Sequence, residues 1–164
     1  MRTREIQIKR FTLTSQKPFA EVVAAIDAHI GHPDMQGFRT ALASAATLVD
    51  VERVISAAAS SDGLIEFARL DLGTILRKEM GDRAPKVLRI IAGNPLIMKE
   101  MVKHVHDAGS YAPVTILVDE RDGGVTVSYD LMESFLAPYE NEGALRVARE
   151  LDAKVTKILT SAVA

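Results

Sequence analysis

Residues 113–130, PVTILVDERDGGVTVSYD, constrain this chain more than any other stretch. Two runs of β-branched and aliphatic residues flank RDGG, and its paired glycines permit the backbone angles of a tight turn. The spacing predicts a β-hairpin. Alternation then puts Val125, Val127 and Tyr129 on one face, with Thr126, Ser128 and Asp130 on the other. Such a hairpin needs a layer over its apolar face. Downstream, Leu145, Ala148, Leu151, Val155, Ile158 and Leu159 recur at helical spacing and predict a long amphipathic C-terminal helix.

Upstream, REIQIKRFTLT at 4–14 reads as a strand that either carries a bulge or is buried on both faces. A helix comes next, over SQKPFAEVVAAIDAHI, and stops at Gly31. Two more helical stripes run through Met35, Phe38, Leu42 and Ala45, then Val51, Val54, Ile55 and Ala58. After the break at SSDG come the strand LIEFARL, a short helix with Asp71 as its N-cap, the strand KVLRIIAGN and a helix over 95–107. The expected class is α+β, with a single mixed, mainly antiparallel sheet of about five strands and helices packed on it. Residues 1–164 are read as one domain, since 164 residues make one sizeable core and no linker interrupts them.

Charge narrows the partners. The formal charge is −2 with no basic block, so neither nucleic acid nor a membrane surface is an expected partner. Apolar runs fall far short of the roughly 20 residues that span a bilayer. Charges punctuate MRTREIQIKR, so a cytoplasmic location is expected. The absence of cysteine excludes disulfides, thiolate metal sites and a cysteine nucleophile.

Residues 90–109, IIAGNPLIMKEMVKHVHDAG, hold the densest candidate chemistry. On one continuous helix His104 and His106 face nearly opposite ways, flanking the buried stripe of Met98, Met101, Val102 and Val105. They could share an ion only if the helix ended before His104. His29 and His32 sit either side of the helix-ending Gly31, with no nearby acidic partner pattern. No metal site and no cofactor are expected. Asn94 suits an N-cap and Pro95 the first helical position, which leaves free amides and a positive dipole end where a carboxylate or phosphate could sit. Structure alone explains the same step.

Other polar positions could converge. Glu66 shares parity with Leu64, Ala68 and Leu70, which points it toward an apolar layer unless its strand lies at a sheet edge. Arg69 and Asp71 could pair across the strand end. Asp130 suits a cap of the following turn, Tyr129 a core position or pocket donor, and Tyr111 a pocket rim. No nucleophile-elbow pattern surrounds Ser110 or Ser128.

LIEFARLDLGTILRKEMG, KVLRIIAGNPLIMKEMV, APVTILVDERDGGVTVSYD and the closing helix together resemble the domain of unknown function 302 family, as does FAEVVAAIDAHI its first helix. The matching positions are Asp71, Asn94, Pro95, Tyr129 and Asp130, over residues 4–31 and 63–160. The resemblance implies a compact α+β domain, a homodimer, and no established activity. Residues 33–60 read as an additional helical segment that covers the sheet, lines a pocket or builds an interface.

Three functions compete. A homodimeric binding domain would hold a small anionic or amphipathic ligand near Asn94, with Glu66, Asp71, Tyr129, Asp130 and His104 as further site candidates. An enzyme would use Glu66 or Asp71 as base and Tyr129 or His104 as acid. A protein-interaction module would rest on the alanine-rich 33–60 segment.

Overall fold

The computed structural model describes residues 3–164. Five strands form one open sheet: β1 (Arg10–Ser15), β2 (Ile65–Asp71), β3 (Val87–Gly93), β4 (Val114–Arg121) and β5 (Gly124–Asp130). Their order is β1-β5-β4-β3-β2, and all four pairings are antiparallel. The class is α+β, and the sheet is purely antiparallel apart from one isolated parallel bridge between Gly31 and Ile65. The first strand is shorter than expected and starts at Arg10. Its ladder gives out there because β5 ends at Asp130, and only the Leu131 amide reaches back to the Lys9 carbonyl.

Helices are α1 (Phe19–Asp27), α2 (Met35–Ser44), α3 (Leu48–Ala58), α4 (Gly73–Met80), α5 (Pro95–Val102), α6 (Met132–Leu136) and α7 (Glu142–Val163). The hairpin closes at Asp122 and Gly123, and Gly124 adopts φ +119. A Cβ on Gly124 would fall 2.4 Å from the Ser15 carbonyl oxygen, so this glycine is required.

One sheet face carries the main core. Leu88, Ile90, Ile116, Val118, Val125, Val127 and Tyr129 meet α1 through Val22 and Ile26, and α7 through its whole expected stripe. The other face is richer in small polar side chains such as Thr12, Thr126 and Ser128, set by the strict alternation of the strands. A second, smaller core joins α2 and α3 to the start of β2, built on Phe38, Ile55 and Ile65. Thr47 and Asp50 form a reciprocal capping box at the start of α3, which fixes the sharp α2–α3 turn. The 33–60 segment is thus a helical hairpin docked on the β2 end of the sheet.

The helix expected over 95–107 stops at Val102. Lys103 caps it, and a 3-10 turn over His106–Ser110 replaces its last part. The opposite-flank geometry expected for His104 and His106 therefore does not apply.

Candidate functional site

The apolar strand β3 delivers its chain end at Gly93, and Asn94 turns it into α5. Asn94 is extended, with Oδ1 accepting the Leu96 amide at 2.8 Å and Nδ2 donating to the Gly63 carbonyl at 2.8 Å. Its amide therefore caps one helix and tethers the loop before β2 at once. Gly93 lies close under Pro113, whose Cβ would be 3.2 Å from any side-chain carbon placed there. Between these elements lies a cavity of about 340 Å³, lined by Leu42 of α2, Phe67 of β2, Met98 and Met101 of α5, Pro113 and Leu151 among others. Asn94 and Pro95 sit in its wall.

The helix end offers an anion less than the sequence suggests. Pro95 has no amide hydrogen, Leu96 gives its own to Asn94 Oδ1, and Met98 gives its own to the Asn94 carbonyl. Among the described residues, that leaves Ile97 as the first-turn amide without a protein acceptor.

The remaining candidates lie elsewhere. Glu66 sits at a β-bulge between Glu66 and Ala68, which breaks the parity argument. Its strand is the sheet edge, and its carboxylate binds Arg69 at 2.6 Å. Arg69 reaches across to Asp27 as well, so the expected Arg69–Asp71 pair does not form. These two carboxylates hold the guanidinium firmly charged and raise its pKa, the hydrogen bond it donates to Glu66 contributing most. Asp71 instead accepts from Thr74 and from Arg77 at 2.7 Å. Leu72 occupies the N-cap position of α4, yet Asp71 supplies the capping oxygen. Hydrogen bonding from Arg77, ahead of that from Thr74, lowers the Asp71 pKa.

Asp130 forms a two-pronged pair with Arg10 at 2.6 and 2.9 Å rather than capping the next turn. The His104 ring packs over Gly143, where an added Cβ would meet it at 2.7 Å. Tyr111 donates to or accepts from Tyr139 at 2.9 Å and stacks on Phe135, away from the cavity wall. Of the six expected site residues, Asn94 alone lines the cavity.

The other histidines correct the reading that they lack acidic partners. His29 Nδ1 lies 2.7 Å from Asp62, and His32 lies 3.6 Å from Glu66 and 3.9 Å from Asp27. Sequence spacing could not show this, since the loop at 60–66 folds back on the end of α1. Asp27, His32 and Glu66 place potential metal donors within 4.8 Å of one another. Arg69 already engages both carboxylates, so a cation there must displace a guanidinium. The cluster is an ion-pair network joining α1 to β2.

Tyr129 is fully buried, and its hydroxyl donates to Asp152 at 2.6 Å. The same carboxylate accepts the Met132 and Glu133 amides at 2.7 and 2.9 Å. Asp152 was not among the expected residues. Its sequence signal is an acid at the position where Ala148, Val155 and Leu159 define the buried stripe of α7.

The model for the domain of unknown function DUF302 matches residues 40–162. The chain belongs to the DUF302 family. Its fold is similar to the crystal structure of an uncharacterized conserved DUF302 protein from Bacillus stearothermophilus, with a TM-score of 0.66. That likeness covers 93% of this chain and 97% of that one at 9% sequence identity, and it speaks to the fold alone. No curated protein matches the chain. The DUF302 match begins inside α2, so the helical hairpin straddles its boundary. Among the described residues no helix is long and apolar enough to cross a membrane.

Proposed function

We propose that this DUF302 protein is a small-ligand-binding domain whose ligand occupies the cavity beside Asn94 and Pro95. The observation that supports it is the cavity itself: about 340 Å³, walled by residues of three strands and three helices. Small-molecule sites favour such concave, apolar places where a few elements converge. The reading includes a homodimer, supported by the exposed apolar side chains Leu70, Leu72, Ile75 and Met80 along the β2–α4 edge.

Native mass spectrometry of gently purified protein tests both parts. A bound small molecule that Met98→Trp expels supports the cavity as the site; a molecule retained by that variant sinks the assignment. Ile75→Lys is expected to shift a dimer toward monomer in light scattering. An unchanged mass would remove this edge from the interface.

A further inference from the structure

We infer that the ligand is a compact, uncharged molecule with a ring-sized apolar body, not the anion that an Asn-Pro helix start suggests. The inference rests on the ligand-binding reading above and sharpens it to a chemical class. Among the described residues no Lys, Arg, His, Asp or Glu side chain lines the cavity. Its one polar side chain, Asn94, has its oxygen committed to Leu96 and one of its two amide hydrogens to Gly63. A carboxylate or phosphate entering it would lose water and meet no cation in return, only the neutral donors of the Ile97 amide and the second Asn94 amide hydrogen. Burying an ion without a charged partner is strongly unfavourable, and two neutral donors do not offset it.

Cations do exist nearby, but not in the lining of the cavity. Lys99 and Lys154 line an adjoining groove with Leu96, Glu52, Glu100 and Glu150, which meets the cavity at Ile97 and Leu151. Residues 96, 99 and 100 lie on the helix face opposite Met98 and Met101. Lys99 is also paired with Glu100 at 3.1 Å, and Lys154 donates to the Asp62 carbonyl at 2.6 Å. Neither ammonium lines the cavity, and each is already held by a protein oxygen.

The walls speak for what does fit. The volume sits at the low end of the roughly 300–1,000 Å³ typical of small-molecule sites. Phe67 offers an aromatic face or edge, and two methionines supply flexible, polarizable surface that adapts to ring shapes. A small aromatic or alicyclic molecule matches this lining in size, charge and contact chemistry.

The test titrates the full chain with toluene and with benzoate, the same ring without and with a charge, and follows backbone amides by ¹H–¹⁵N NMR. Toluene should shift the amides of residues 93–101 and 109–114 saturably, with benzoate weaker by at least about tenfold. Met98→Trp and, from the opposite wall, Leu42→Trp should each abolish the toluene response in a protein that keeps its dispersed spectrum. Benzoate binding as tightly as toluene at these amides would overturn the uncharged class while leaving the cavity as the site. A response to neither probe, or one that both variants leave intact, would overturn the ligand-binding reading with it.

Discussion

The Tyr129 hydroxyl and the Asp152 carboxylate meet at 2.6 Å, tying the last sheet strand to the C-terminal helix. Asp152 also accepts the first amides of α6, a five-residue helix whose own N-cap, Leu131, makes no side-chain bond. A residue in one helix thus caps another. Asp152→Ala should leave three buried donors unpaired and cost about 2–4 kcal/mol by urea unfolding. Asp152→Asn should cost less, about 1–2 kcal/mol, because its oxygen keeps two donors while its amide group opposes the third. Two variants of wild-type stability would show that water serves these donors equally well.

Burial pushes the Asp152 pKa above its ordinary 3.8, while the bonds from Tyr129, Glu133 and Met132 pull against it. A folded pKa above the unfolded value means the protonated form is favoured on folding. The stability from this group is therefore present below the ordinary value and is lost as pH rises through the raised one. Tyr129→Phe removes a donor to the ionised form, so Asp152 should titrate higher still in ¹³C carboxyl NMR. A midpoint in the variant at or below that of the wild type refutes the hydrogen bond's role. Asp71 runs the opposite way. Lowered chiefly by Arg77, it supports the fold above the unfolded pKa, and that support disappears as pH falls through its folded pKa.

Gly31 sits against the α3 end so closely that a Cβ would fall 2.1 Å from the Ala58 carbonyl. It also donates to Leu64 and accepts from Glu66, making the parallel bridge that seats the helical hairpin. Gly31→Ala should cost about 3 kcal/mol or more in thermal unfolding, since backbone must move to admit the methyl group. A loss below about 1 kcal/mol would mean that this seam is loose.

Asn94→Ala removes both the α5 cap and the tether to Gly63. The expected loss is about 1–2 kcal/mol, with the fold retained. Asn94→Asp restores the capping oxygen but not the donor, so its stability should fall between those of the wild type and the alanine variant. If it equals the alanine variant, the tether matters more than the cap.

Phe38 packs on Phe67 with ring centroids 6.4 Å apart and is the buried anchor of α2. Its truncation to alanine is expected to cost the hairpin about 3 kcal/mol locally. Amide exchange should then quicken across residues 35–58 while β3, β4 and β5 keep their protection. Uniform acceleration over the whole chain would show instead that the two cores unfold as one.

Local chemistry is legible in the sequence and remote pairing is not. RDGG announces its turn because the requirement at Gly124 is a backbone angle within the turn itself. The α7 stripe announces its buried face because periodicity is a property of one helix. Asn94 is readable as a cap for the same reason. The end of α5 is not: Met98, Met101, Val102 and Val105 keep helical spacing, yet the chain leaves the helix after Val102. Arg69 choosing Asp27 over Asp71 depends on where α1 lies against β2, and Glu66 depends on a bulge. Neither has a pattern in the sequence. The cavity draws its wall from five separate stretches of chain, so only its Asn-Pro corner is foreseeable.

The pairing of Arg10 with Asp130 joins positions 120 residues apart. On a ribosome, β1 therefore emerges before the other strands and waits longest, with Phe11 and Leu13 lacking their neighbours until β5 has been made. The other four strands, β2 through β5, can meanwhile zip up from successive antiparallel neighbours as they appear. The earliest strand to be synthesised becomes the closing edge of the sheet, added after the hairpin beside it.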